Sequence, residues 1–330
     1  MDSYMIETVA KVMVVLLVFS ALAGFTTYIE RKILAFMQRR LGPTHVGPFG
    51  VIQILADGIK LFTKEDFVPA NAVRPIFMIA PVITAATAFI AMTAVPFFPQ
   101  FEVMGYTVRP IIADINVGLL FVLGAMATGL YGPLLGGMAQ ANKWGLLGGA
   151  RTAIQLLSYE VVTGLSILAP IMLVGSLSLI DINDYQSGGF FSWLIWTQPV
   201  AFFLFLIAAY AETNRTPFDL LEHEAEVISG YATEYSGMRW GMFFIGEYAN
   251  LFTVSFLTAL IFLGGYNDWA FIPGWVAILL KVGFLIFLFL WTRASWPHIR
   301  PDQLMWFCWK VLMPLAIVNI LITGFVMMLI

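Results

Sequence analysis

The sequence predicts an all-α integral membrane protein, and three observations carry that expectation. Of its 330 residues, 60% are hydrophobic and 11% charged, whereas soluble domains run at about 45–50% and about 25%. Its mean hydropathy is +0.87. Eight stretches are apolar enough to cross a bilayer, each with the roughly 20 residues that a helix needs to span the hydrocarbon core. Helices are the expected element because lipid offers no partner to an open backbone amide.

The first stretch, near 8–29, follows an N-terminus with Asp2 and Glu7 and no basic run. It therefore reads as a span and not as a secretory signal. The others lie near 75–98, 111–135, 153–174, 190–211, 242–264, 272–294 and 304–330. Eight transmembrane helices put both termini on one side, and Lys and Arg choose the side. The first, third, fifth and seventh connections, with nearby helix ends, hold 14 of the 17 basic residues, leaving Lys11, Arg109 and Lys281. These connections are expected on the cytoplasmic side, with both termini periplasmic. The chain reads as one membrane domain, 1–330.

The first connection contains "VIQILADGIKLFTKED". Val51, Leu55, Ile59 and Phe62 recur at helical spacing, and Gln53, Asp57, Lys60 and Lys64 form a polar stripe. The pattern predicts an amphipathic helix near 50–64, lying at the interface or against a partner. Gly42, Pro43, Gly47, Pro48 and Gly50 before it predict a turn-rich path. "LLGG" occurs at 134–137 and again at 146–149 without the Lys and Ser/Thr of a phosphate loop, and reads as a flexible connection.

Several function classes are excluded. A net charge of −3 argues against nucleic acid. Cys308 is the one cysteine, so no internal disulfide and no cysteine set for zinc or an iron–sulfur cluster exists. No dinucleotide fingerprint or Walker loop is present. The chain is expected to hold no cofactor and no metal of its own.

Ionisable residues inside apolar stretches are costly and mark pathways or partners. Asp114, Glu160, Glu247 and Lys281 are such residues; each could also be a snorkelling side chain or a structural ion pair. The fifth connection, near 211–241, is acidic: "AETNRTPFDLLEHEAEVISGYATEYSG". If it is helical, Asp219, Glu222 and Glu226 share a face and Glu224 points elsewhere. Carboxylates about 6 Å apart at an effective dielectric near 20 repel by roughly 3 kcal/mol, which lets one of them hold a proton near neutral pH. A solvated acidic loop is the other reading. Against it stand Phe218, Leu220, Leu221, Val227, Ile228, Tyr231 and Tyr235, which predict a packed segment. Carboxylates strung along a connection do not make a compact metal cage.

A family resemblance rests on "YIERKILAFMQRRLGPTHVGPFG", "ADGIKLFTKED", "RTAIQLLSYE", "AETNRTPFDL", "EAE", "GYATEYSG" and "WTRASWPHIRPDQLMWFCWK". In these motifs the chain resembles, over nearly its whole length, the H subunits of bacterial NADH:quinone oxidoreductase, the counterparts of subunit 1 of mitochondrial complex I. It departs from the common pattern at Leu221, His223 and His298. The resemblance implies a multi-pass subunit of the bacterial inner membrane. Its partners would be hydrophilic-arm iron–sulfur subunits, which with any flavin carry the redox centres, and antiporter-like membrane subunits. Quinone would be the substrate. The resemblance implies a quinone tunnel that involves Glu30, Arg31, Arg40, Asp57, Phe244 and Arg293. It implies a proton-coupling route through Glu160, Glu212, Asp219, Glu222, Glu224, Glu226, Glu247 and Lys281. Two other readings are a membrane subunit of an energy-converting hydrogenase and a stand-alone proton or sodium transporter.

Overall fold

The structure, a computed structural model, describes residues 3–103, 106–221, 228–269 and 272–329. Helices dominate it. In chain order they are α1 (Ser3–Met37), α2 (Gln53–Thr63), α3 (Arg74–Met92), α4 (Gly118–Gly129), α5 (Tyr131–Ala139), α6 (Lys143–Val174), α7 (Leu179–Tyr185), α8 (Leu194–Thr197), α9 (Pro199–Glu212), α10 (Gly237–Phe262), α11 (Gly274–Ser295), α12 (Pro301–Phe307) and α13 (Met313–Leu329). One antiparallel pair, Phe101–Val103 with Tyr106–Val108, lies between α3 and α4.

Seven helical units among the described residues are long and apolar enough to cross a membrane: α1, α3, α4–α5, α6, α10, α11 and α12–α13. The chain is a multi-pass membrane protein. The expected fifth span is α9, which has 14 residues and so rises about 21 Å, against a hydrocarbon core of about 30 Å. The predicted amphipathic helix is α2, docked on α1 through Arg31 and Asp57 (2.7 Å). It leaves Leu55, Ile59 and Phe62 exposed.

α10 is the central helix, buried at every residue from Tyr248 to Phe262. It packs on α1, α3 and α11. Phe19, Phe97, Phe252 and Phe256 form one ring cluster of this core. A second, smaller core joins Phe77, Leu221, Tyr231, Tyr235 and Phe243 under the fifth connection. Phe218, Leu220, Leu221, Tyr231 and Tyr235 are all buried, as the aromatic content of this connection predicts, whereas Ile228, expected to pack with them, is exposed.

Prolines inside helices leave carbonyls without an intrahelical donor, and in lipid those must find another partner. Pro81 frees the Phe77 carbonyl, and the Tyr235 hydroxyl donates to it (3.0 Å) while its ring stacks on Phe77 at 4.1 Å. Pro133 frees the Gly129 carbonyl, and Thr84 Oγ1 donates to that one (3.3 Å). Just before Pro314 the chain widens into a π turn, Cys308–Leu312.

The two "LLGG" stretches are not flexible connections: one lies in α5 and the other in α6. Their glycines let backbones approach closely, as small residues do in membrane helices. A Cβ on Gly137 would lie 2.5 Å from the Gly145 carbonyl oxygen, and one on Gly148 would lie 2.4 Å from the Tyr231 nitrogen. Gly148→Ala therefore forces backbone apart and is expected to destabilise by about 1–3 kcal/mol. Thermal unfolding of the purified protein in its native assembly should show a lowered midpoint. An unchanged midpoint would mean that the fifth connection is not seated on α6.

Candidate functional site

The buried charges gather where α1, α10 and α11 meet the chain that follows α9. Glu30, near the end of α1, is 4% exposed. An isolated carboxylate at such a place is untenable, and three side chains answer it. Arg215 Nη1 lies 3.3 Å from each carboxylate oxygen. Arg293 of α11 donates to Oε1. The Tyr248 hydroxyl donates to Oε2 at 2.6 Å. The Arg215 guanidinium also lies over the Tyr248 ring, 4.5 Å from its centroid, a cation–π contact that suits a desolvated arginine.

Arg215 stands outside the spans and is 3% exposed. Burial opposes its charge, but Glu30, Tyr248 and Glu247 outweigh that and raise its pKa above the ordinary arginine value. Arg215 is thus within electrostatic reach of two carboxylates, Glu30 and Glu247. Glu247 also accepts from the Tyr231 hydroxyl (3.1 Å).

The cluster continues toward α2. Arg31 is within electrostatic reach of Glu30 and pairs with Asp57, which also accepts from Gln53 Nε2 (3.0 Å). A ladder of rings climbs α10 to the same point: Trp240 stacks on Phe244 (5.0 Å) and Phe244 packs on Tyr248 (4.7 Å). Of the expected tunnel residues, Glu30, Arg31, Asp57, Phe244 and Arg293 therefore fall in one neighbourhood. Arg40 does not join them; it is exposed and bonds Gln38 Oε1 (2.7 Å).

The expected coupling residues fall in three places. Glu212 ends α9, 5% exposed, and its charge interacts with that of Glu160 on α6, beside the buried Tyr159. Asp219 is half-buried in non-helical chain, so the helical phasing from Asp219 is not followed as far as residue 221. Glu222, Glu224 and Glu226, with His223, lie outside the described residues. Lys281 is buried at the other end of the molecule. Its ammonium donates to the Gly265 carbonyl (2.8 Å) and sits over the Trp193 ring (4.4 Å). Nearby, the Tyr266 hydroxyl is pushed up to about 12 by burial and by the charges of Asp184 and Asp114.

Sequence reasoning missed two members, Arg215 and Tyr248. Arg215 sits inside the motif "AETNRTPFDL", and Tyr248 directly follows Glu247. Arg215 was available as a cation stranded in an acidic connection, and Tyr248 as the neighbour of an intramembrane glutamate.

The chain is a predominantly helical, multi-pass membrane protein that gathers paired arginines and carboxylates at one end of its spans, and its relatives place it among the subunits of quinone-linked oxidoreductases. A family model described as NADH dehydrogenase matches residues 10–324, and the chain belongs to that family. Curated relatives agree in name. The H subunit of the NADH-quinone oxidoreductase of Nitratiruptor sp. is 76% identical over 325 residues, 98% of each chain. The protein of that name from Wolinella succinogenes is 73% identical over 329 residues, 100% of each. That from Sulfurimonas denitrificans is 67% identical over 326 residues, 99% of each.

Proposed function

We propose that the chain is the membrane subunit that shapes the quinone passage of an NADH-type quinone reductase and links quinone reduction to proton translocation. The observation that carries this reading is the shared arginine: Arg215 answers both Glu30, in the quinone set, and Glu247, in the proton set. Glu30, Arg31, Asp57, Phe244 and Arg293 would face the polar headgroup, with Arg40 farther out. The ring ladder of α10 gives an isoprenoid tail an apolar wall, the usual mixture in a small-molecule site.

On quinone reduction two electrons arrive and two protons are needed. The charge change at the Glu30 end would be felt at Glu247 through Arg215. From there Glu160, Glu212 and the carboxylates Asp219, Glu222, Glu224 and Glu226 would adjust protons, with Lys281 farther along, toward antiporter-like partner subunits. Iron–sulfur partners of a hydrophilic arm would dock on the face rich in Lys and Arg. The 14-to-3 split of basic residues supports a cytoplasmic placement of that face, with both termini periplasmic and α9 as the fifth of eight crossings.

Asp57→Asn tests the quinone assignment. The variant keeps size and removes the charge that holds Arg31. In the fully assembled enzyme, quinone reduction or inhibitor sensitivity should fall, while electron transfer to an artificial acceptor upstream of quinone stays at the wild-type rate. A loss of both activities together would rule out a quinone-specific role for Asp57.

A further inference from the structure

Tyr231 joins the fifth connection to Glu247, and its surroundings hold it in place. It lies in a tight turn, Gly230–Ala232, that rests on α5 and α6. Its carbonyl accepts from Gln140 Nε2 at the end of α5. Its amide lies against Gly148 of α6, where no Cβ would fit. Its ring is fully buried and meets Phe243 of α10 edge-on, 5.0 Å between centroids. Gly230, at φ +47°, abuts the Leu221 carbonyl oxygen so closely that it too has no room for a Cβ. The stretch from Leu221 to Gly230, which carries Glu222, Glu224 and Glu226, therefore begins and ends at this turn.

The Tyr231 hydroxyl reaches out of that packing to Glu247 Oε1 (3.1 Å). Tyr235, in the same small core, gives its hydroxyl to the Phe77 carbonyl that Pro81 leaves open. One tyrosine thus serves the backbone and the other an ionisable group. A phenylalanine at 231 would fill the same space with no hydroxyl to satisfy, so what the oxygen adds is the bond to Glu247.

We infer that Tyr231 is a positioning residue for proton coupling: its hydroxyl orients the Glu247 carboxylate and ties it to the base of the acidic segment. The inference rests on the proton-coupling reading above. Arg215 supplies the positive charge that Glu247 feels, and Tyr231 supplies the direction. A hydroxyl bonds an ionised carboxylate about twice as strongly as a neutral acceptor. The tie is therefore tight while Glu247 is charged and slack when it holds a proton, and the turn that closes the acidic segment feels the difference.

The test uses the whole complex in proteoliposomes, with kcat and KM for quinone and proton uptake per electron as readouts. Glu247→Gln is the reference variant and Tyr235→Phe the control for the shared core. Tyr231→Phe keeps the ring and should assemble, with kcat lowered about tenfold, the worth of one hydrogen bond to a charged group, and KM unchanged. Tyr235→Phe should stay near the wild-type kcat. A Tyr231→Phe loss no larger than that of Tyr235→Phe would report the core alone and overturns the inference. A raised KM at the wild-type kcat also overturns it, by placing Tyr231 at the quinone end. Tyr231→Phe at the wild-type rate and proton ratio, beside a defective Glu247→Gln, overturns it and leaves the coupling reading standing. A normal Glu247→Gln would remove the coupling reading itself, and the inference with it. Should Tyr231→Phe fail to assemble, Glu247→Asp takes its place, because it keeps the charge and draws the carboxylate back from the hydroxyl. A fall in its kcat of about tenfold supports the tie, and a wild-type kcat overturns it.

Discussion

Arg215→Met is expected to be the most damaging single substitution in the molecule. It keeps an unbranched apolar stem and removes the cation that faces Glu30 from 3.3 Å. Breaking a buried ion pair from one side leaves the other charge uncompensated, at a cost of about 3–5 kcal/mol. Arg293 remains beside Glu30, but Glu247 loses its arginine neighbour as well. The assembled complex should melt at a markedly lower temperature and reduce quinone at a few per cent of the wild-type rate or less. Arg215→Lys should recover only part of both. A lysine restores the charge as a point, without the planar guanidinium that lies over Tyr248. The double variant Glu30→Leu/Arg215→Met separates stability from activity, because well-packed apolar residues can replace a buried pair with little loss. Its melting should approach wild type while quinone reduction stays abolished. Wild-type melting and turnover in Arg215→Met would mean that Glu30 is held without it.

Glu212→Gln is expected to show the opposite signature, large in activity and slight in stability. Glu212 is 5% exposed, its Oε2 has no hydrogen-bond partner among the described residues, and the charge of Glu160 bears on it. Holding a carboxylate there is unfavourable, so the neutral amide should leave the melting temperature unchanged or raise it slightly. The loss of a proton-binding group should still lower quinone-driven proton uptake and quinone reduction together by tenfold or more. Both are measured in vesicles that contain the assembled complex. Normal rates and a normal proton-to-electron ratio in Glu212→Gln would make Glu212 and Glu160 a structural pair and take them out of the coupling route.

Composition and hydropathy made the helical membrane fold legible, because lipid restricts the chain to so few solutions. The positions of α1, α3, α10 and α11 follow from their apolar runs. The misreading of "LLGG" has a definite cause. In water, paired glycines are signals for turns, but in the bilayer the backbone keeps its helical bonds and Gly148 serves the approach of Tyr231 instead. α6 begins at Lys143, ten residues before its expected start, for the same reason. The site was legible in part. Glu30 and Arg293 came forward through motifs, yet nothing in linear spacing brings residues 30, 215, 248 and 293 to one point. Lys281 was grouped with Glu160 and Glu247 by type, while its place in the fold, against Gly265 and Trp193, is set by the loops at the far end.

The electrostatic reach of Arg215 to both Glu30 and Glu247 has a thermodynamic consequence. Two acids that lean on one counterion do not titrate independently: a proton bound by the first leaves more of the cation's field to the second, and the reverse holds with the same free energy. On the proposed function, a change of charge beside Glu30 would therefore be felt at Glu247 through Arg215. By the same reciprocity, if the proposed function holds, charge at Glu247 would be felt by a ligand at the Glu30 end. On the proposed function, a membrane potential that acts on Glu247 would be felt at the Glu30 end, and the traffic between the two ends would run in both directions.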